Sequence, residues 1–347
     1  MSQSDYKRIV LNSRPVADFE PSTFRTEVVP FDDKLKPGPE EVLVKTLWIS
    51  LEPAMRGWVR DARSYIPPVQ IGETMRAQGL GVVVQAGSDS TLRKGDYVAG
   101  ILGMTEYTVA KDKMLEKLTV PKGATLLDYL NTLGSSGMTA YFGLKEVGKL
   151  KKSETLVVSG AAGSVGSLVC QLGKAAGAKV YAIAGSQDKC QWLIQELGVD
   201  GAFNYKSPTF RNDIKTIGYF DVFFDNVGGE ILDLMLTRLN KGARIALCGG
   251  ISDYNSAKPK GLQNYLTLIS QRASIQGFVV FDYKSQYSEA RQELAKGLGD
   301  GTIKRKFHIV EGGIEQAPKS LPLLFSGGNT GKLIIKVAEE DTSPSKL

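Results

Sequence analysis

The chain has 347 residues, of which 42% are hydrophobic and 23% charged, and its net charge is +6. This composition supplies enough apolar side chain for one or two cores and excludes disordered, collagen-like and low-complexity classes. The Lys and Arg residues are dispersed, with no cluster of roughly 5–8 that would mark a nucleic-acid surface, so a bound anionic cofactor explains the charge equally well.

The opening stretch, MSQSDYKRIVLNSRP, lacks the apolar core and small-residue cleavage site of a secretory signal. No run reaches the about 18 apolar residues of a membrane span, so a soluble, cytoplasmic protein is expected. From residue 1 to about 127, short β-branched runs such as VLVKTLWISL, GVVVQAG and DYVAGIL alternate with Gly, Pro and Asp, which predicts strands and turns. After LGSSGMTAYFGLKEVGKLKKSE the pattern changes. TLVVSG, KVYAIAG, DGAFNY, DVFFDNVG, RIALCGG and SIQGFVVF read as buried strands with helical patterns between them. That alternation predicts a doubly wound parallel sheet over 128–309, an α/β fold with helices on both faces. GKLIIKV is expected to return to the first domain within 310–347, and the polar tail AEEDTSPSKL to fray.

The centre of the second domain is SGAAGSVGS, at 159–167. Its AAGSVG segment fits G-x-G-x-x-G with Ala161 in place of the first glycine, after a strand and before a helix whose apolar face is read as Val165, Leu168, Val169, Leu172, Ala175 and Ala176. Gly163 would admit a pyrophosphate to the backbone, Gly166 would let the helix pack close to the sheet, and the free N–H groups at the helix start would attract phosphate. NAD enzymes place an acid about 20 residues further on, for the ribose hydroxyl. Here the strand ends in Ala184, Gly185 and Ser186, and Lys189 follows, so a 2'-phosphate and hence NADPH is expected; Asp188 beside it leaves open a solvated helix start.

The three cysteines, Cys170, Cys190 and Cys248, are widely spaced, and His308 is the single histidine. Neither a disulfide framework nor a Cys/His zinc site is expected from such a set. Without a metal, hydride needs an acceptor that is already electrophilic, such as the β-carbon of a carbonyl-conjugated alkene or a quinone, and donors aimed at the charge that develops on oxygen.

SLEPAMRGWV (50–59), AAGSVGS, FNYK (203–206), FDNVGG (224–229), CGGISDYN (248–255), GFVV (277–280) and GNTGKLIIKV (328–337) together resemble the zinc-independent medium-chain dehydrogenase/reductases, and within them the alkenal/one oxidoreductase group. The likeness spans nearly the whole chain. It implies a GroES-like first domain, a Rossmann second domain, NADPH, and a homodimer. It further implies that Ala162, Gly163, Ser164, Val165 and Gly166 hold the pyrophosphate, that Lys189 and Tyr205 meet the 2'-phosphate, and that Asn226 lies along the cofactor. Cys248, Gly249, Ile251, Ser252 and Tyr254 would pass beside the nicotinamide ribose, with Phe278, Val279 and Asn329 at the nicotinamide end. Tyr254, or else the cofactor's ribose hydroxyl, would stabilise an enolate. Arg56, Tyr65 and Met75 are candidate substrate contacts, although Arg56, in a motif dense in turn residues, reads more readily as a structural bridge between strand ends. The implied activity is reduction of the C=C bond of α,β-unsaturated aldehydes and ketones; a quinone reductase and a non-catalytic nucleotide- or RNA-binding protein are the rivals.

Overall fold

A computed structural model describes residues 5–32 and 35–340. The amino-terminal part is antiparallel. Strands β1 (Asp5–Leu11) and β2 (Phe24–Pro30) form a ribbon. A larger sheet is built on β3 (Glu41–Ser50), β4 (Gln78–Ala86), β5 (Tyr97–Ile101), β6 (Tyr107–Lys111) and β7 (Glu116–Lys117). β3 is buried along most of its length because it has partners on every side. It pairs with β4 throughout, with β6 over Glu41–Lys45, and near its end with a strand from the far carboxyl terminus. Two register shifts along the β3–β4 pair let the strand bend from one partner to the next, as extra residues in a ladder do. The bend delivers Leu51 and Glu52, and the one-turn helix α1 (Met55–Trp58), to the boundary between the domains.

A second sheet follows helix α2 (Ser135–Phe142). Its strands are β8 (Thr155–Val158), β9 (Lys179–Ala184), β10 (Gly201–Asn204), β11 (Phe220–Asp225), β12 (Leu239–Leu247) and β13 (Ser274–Gly277). They lie in the order β10-β9-β8-β11-β12-β13, and every pair is parallel. The strand order reverses between β8 and β11, so the crevice at their carboxyl ends is where an open α/β sheet takes its ligand. Two clusters cover the sheet's faces, one around Leu156, Val158, Leu168, Val180 and Phe224, the other around Val157, Phe223, Ile231, Leu236 and Ile245. Among the described residues, no helix is long and apolar enough to cross a membrane.

Three details differ from the sequence reading. The return to the first sheet starts at β14 (Phe307–Val310), which runs parallel to β15 (Lys332–Lys336); β15 is the strand that meets the end of β3, so the large sheet takes up the chain again before residue 310. The strand expected in SIQGFVVF stops at Gly277, and a 3-10 segment follows from Val280 to Gln286. In α3 (Ser164–Ala175), Ala175 and its neighbour Ala176 are exposed. The helix instead turns Gly173 to the sheet, where an added Cβ would lie 2.5 Å from Leu156. Close packing selected a residue that a hydrophobic pattern does not count. The tail from 341 onward lies outside the described residues.

Candidate active site

Between the domains runs a cleft of about 830 Å³. Its middle is the glycine bend. The left-handed residue there is Gly160 (φ 57°), one place before the Ala161 that stands at the motif's first glycine; Ala161 itself is fully buried and donates its N–H to the Ile183 carbonyl. Gly166 is required by the protein: a Cβ on it would sit 2.4 Å from the Gly160 carbonyl oxygen and 2.8 Å from the Ala161 Cα. Gly163 is not. Its φ is −81°, open to any residue, and a Cβ would meet only the Gly160 oxygen at 3.2 Å. Gly163 therefore leaves space on the cleft side, and as N-cap of α3 it has no side chain to occupy the helix's first N–H groups. That combination is a cradle for a phosphate.

Beyond the bend, Ala184, Gly185, Lys189, Tyr205, Ser207 and Arg211 line one end of the cleft. Ser186 caps helix α4 (Gln187–Leu197) by accepting the Lys189 N–H, which sets Lys189 in the first turn. Its ammonium donates to the Gly327 carbonyl at 2.8 Å. Burial, and then the charge of Lys206, hold the Lys189 amine below its ordinary value. The two like charges act on one another and the strand end offers no carboxylate, so an anion would complete the site. The Tyr205 ring packs closely on Gly185, where a Cβ would lie 3.1 Å from it.

At the other end Asn226, Cys248, Tyr254, Phe278 and Val279 come from loops after β11, β12 and β13. Asp225 organises them. Fully buried, its carboxylate accepts from Ser159 Oγ at 2.6 Å and from the N–H groups of Val227 and Gly228, each at 3.0 Å, while its carbonyl accepts from Cys248 N–H at 2.8 Å. Burial nevertheless raises its pKa. Asn226 donates to the Ser159 carbonyl at 2.7 Å, locking the ends of β8 and β11 together. The Tyr254 hydroxyl rests against Gly249, where a Cβ would approach it to 3.1 Å; Gly249 thus makes room for the phenol. Burial raises the phenol's pKa, and the Gly250 backbone opposes it. Partial burial in the cleft wall, and then the nearby Asp225, push the half-buried Cys248 thiol up to about 12, so it stays protonated. The facing wall belongs to the first domain: Leu51, Ala54, Trp58 and Tyr65, with Trp58 Nε1 donating to the Tyr65 hydroxyl at 3.1 Å and Tyr65 reaching the Phe281 ring across the mouth.

The comparisons with known proteins agree along the chain. Residues 7–118 match the family described as the N-terminal domain of oxidoreductase, and 164–296 the family described as zinc-binding dehydrogenase. The NADPH-dependent curcumin reductase of Escherichia coli is 35% identical over 344 residues, 96% of this chain and 98% of that one. The NADP-dependent 2-alkenal reductase of Nicotiana tabacum is 35% identical over 341 residues, with the same coverage. The crystal structure of CurA from Vibrio vulnificus in complex with NADPH superposes with a TM-score of 0.89 at 33% identity, covering 96% of this chain and 100% of that one. The chain belongs to the medium-chain dehydrogenase/reductase family. It is an NADPH-dependent oxidoreductase of the curcumin and alkenal reductase type. Although one matched family is named for zinc, among the described residues no three His, Cys, Asp or Glu side chains are grouped so as to hold a metal ion.

Of the residues singled out in this reductase from sequence, Ala162 to Gly166, Lys189, Tyr205, Asn226, Cys248, Gly249, Ile251, Ser252, Tyr254, Phe278, Val279, Asn329 and Tyr65 all line the one cleft. Two candidate substrate contacts do not. Arg56 is 1% exposed and spends its guanidinium on the carbonyls of Ala17 (2.9 Å), Pro15 and Val16 (each 3.1 Å), so it anchors the 15–17 loop to α1. Met75 is fully buried in the first domain's core beside Ile9, Met104 and Ala77. Both lie in stretches of mixed apolar and turn residues, where sequence distance to the cleft does not tell which way a side chain points.

The reductase also has a polar cleft floor that the motifs did not announce. Glu52 Oε1 accepts from Lys332 Nζ at 2.9 Å, Ser50 Oγ at 2.9 Å and Ser135 Oγ at 3.3 Å, and Ser135 also reaches Gln78 Oε1 at 3.1 Å. Burial pushes the Glu52 carboxyl up, but the Lys332 charge and the donated hydrogen bonds outweigh it and hold it below the ordinary value. Glu52 and Lys332 stand inside SLEP and TGKL, stretches marked only by likeness, and nothing local pairs residues 280 positions apart.

Proposed function

We propose that this reductase reduces the C=C bond of α,β-unsaturated aldehydes and ketones. The observation that carries the reading is the Tyr254 phenol, seated on Gly249 at the carboxyl end of the parallel sheet and facing a cleft walled by Trp58, Tyr65, Phe278 and Phe281. A flat conjugated acceptor suits such walls. The names of the curcumin and 2-alkenal relatives support the same substrate class.

Bound NADPH would supply the hydride. The chain's part is to hold the two reactants and stabilise charge. The bend and the N–H groups of α3 would hold the pyrophosphate, and Lys189 with Tyr205 the 2'-phosphate. Asn226, Cys248, Phe278, Val279 and Asn329 would border the nicotinamide side. As hydride reaches the β-carbon, negative charge gathers on the carbonyl oxygen, and a hydrogen bond from Tyr254 strengthens as that charge grows. Tyr254 stays protonated for this task, since burial raises its pKa. Trp58 and Tyr65 exclude water from the outer face of the acceptor.

The test is NADPH oxidation by the purified protein with a 2-alkenal, with curcumin and with simple quinones. Turnover of the first two with reduced-alkene products is expected; turnover of quinones alone would overturn the reading. We also infer a homodimer, joined along β13. That strand is the edge of its sheet, and Tyr265, Leu266 and Ile269 stand exposed in the segment before it, an apolar surface suited to a second copy. Light scattering should give twice the chain mass, and a monomer at micromolar concentration would overturn it.

A further inference from the structure

Lys332 is the first residue of β15 and 3% exposed. Its Nζ lies 2.9 Å from Glu52 Oε1 and 3.4 Å from Ser136 Oγ. An ammonium carries three N–H donors, so these two contacts leave one uncommitted, in a residue that borders the cleft. Glu52 Oε1 already accepts from Lys332, Ser50 and Ser135, so the carboxylate steadies the ammonium and offers that oxygen to nothing else. Backbone pairing fixes the position. Gly331 N–H donates to the Ala162 carbonyl at 2.8 Å and Gly331 bridges to Gly163, which puts Lys332 one residue from the phosphate cradle. Among the described residues lining the cleft, the Lys and Arg side chains are Lys189, Arg211 and Lys332, and the first two stand at the adenosine end. Beside this polar floor the wall carries the apolar side chains of Leu51, Ala54 and Leu333.

An enone that has accepted hydride at its β-carbon holds the displaced electron pair over the α-carbon and the oxygen. Tyr254 meets the oxygen from the nucleotide-domain side; the α-carbon still needs a proton. Building on the enone reading, we propose that Lys332 donates this proton from the opposite wall. The Nζ–H bond breaks with its electron pair left on nitrogen, the enolate π pair forms the α C–H bond, and the carbonyl is restored. The neutral amine then takes a proton from water as product leaves. A ketone's α C–H is a far weaker acid than an ammonium, so the transfer runs downhill. Glu52, Ser135 and Ser136 are positioning residues: they aim the ammonium and recharge it by attracting the incoming proton.

The test uses an enone substituted at both the α- and β-carbons, so that each becomes a stereocentre, with NADPH consumption followed alongside product configuration. Wild type should give one stereoisomer. Lys332→Met should keep consuming NADPH and keep the β configuration while its α configuration scrambles, because hydride delivery is intact and bulk water now protonates the enolate. Where the unpaired Glu52 prevents folding, Glu52→Gln with Lys332→Met removes both charges and should give the same α-scrambled product. An ordered α-centre in either folded variant, or scrambling at both centres, would overturn the proposal, as would wild-type product already mixed at the α-carbon. A wild-type enzyme that leaves the enone unreduced would overturn the enone reading and this proposal together, which separates that failure from the others.

Discussion

At one end of the cleft, the side chains that would meet the adenosine come chiefly from a single stretch, Ala184 to Arg211, on a strand, a capped helix and the next strand of one sheet. At the other end the lining is gathered from positions between Leu51 and Leu333, on both domains, and its charged pair joins Glu52 to Lys332. The first end is local in sequence, and in the proposed reading it recognises a charge that is always present on the cofactor. The second joins positions far apart in the chain, and in the proposed reading it meets charge that appears during reaction. Variants at the two ends should therefore fail differently: binding should suffer at the first, and chemistry at the second.

The largest effect is expected at the bend, which both ends share. Gly166→Ala would drive a Cβ against backbone at 2.4 Å, and overpacking of that kind costs about 1–3 kcal/mol. We expect a lowered Tm and no measurable NADPH binding. Gly163→Ala has only a 3.2 Å contact to absorb and an ordinary φ. Its Tm should match wild type, yet its NADPH Kd should rise by about tenfold or more, a loss of ~1.4 kcal/mol. Calorimetry paired with fluorescence titration separates the two; equal Tm losses would show that Gly163 serves the fold and not the phosphate.

Next comes Tyr254→Phe, which removes a donor aimed at developing charge. A loss of about a hundredfold in kcat is expected, with the NADPH Kd almost unchanged. Full activity would pass the task to the ribose hydroxyl. At the opposite end, Lys189→Ala should raise the KM for NADPH by about tenfold, the worth of one charge-assisted contact, and leave kcat and the KM for NADH alone. If kcat fell instead, the division between a binding end and a chemical end would break.

The same division decides what could be read from sequence. The strand, bend and helix at 155–175, the missing acid at Ala184–Ser186 and the placement of Lys189 rest on neighbours in the chain, and local pattern sufficed for them. So did the parallel sheet and the return of GKLIIKV. Where the outcome depended on packing, pattern was a poorer guide. Ala175 and Ala176 looked like a buried face, but the sheet took Gly173, because closeness and not hydrophobicity was at stake. Arg56, inside SLEPAMRGWV, and Met75 point away from the cleft, Arg56 drawn by three inward carbonyls. Asp225 carries no local signal of its role; its hydrogen bonds to Ser159 and to the loop that follows became visible only with β8 and β11 side by side.

The smallest effect expected is a pH dependence at the chemical end. Lys332, against the opposing influence of burial, holds the Glu52 carboxyl below its ordinary value in the folded protein. A carboxyl whose folded pKa is depressed adds stability above its unfolded pKa of about 4.3, and that contribution is lost as pH falls through the folded value. Replacing both partners, by Glu52→Gln with Lys332→Met, removes the linked proton without stranding a charge. Every other acid with a depressed pKa, including Glu27, Asp96 and Asp200, is common to both proteins, so it cancels in the difference. Between mildly acidic and strongly acidic buffer the wild-type Tm should therefore fall further than that of the double variant, by about 2 °C. Parallel acid limbs would mean that Glu52 gains nothing from Lys332. The cleft floor would then be a solvated pair like those on the surface, and the contrast between the two ends would rest on Tyr254 alone.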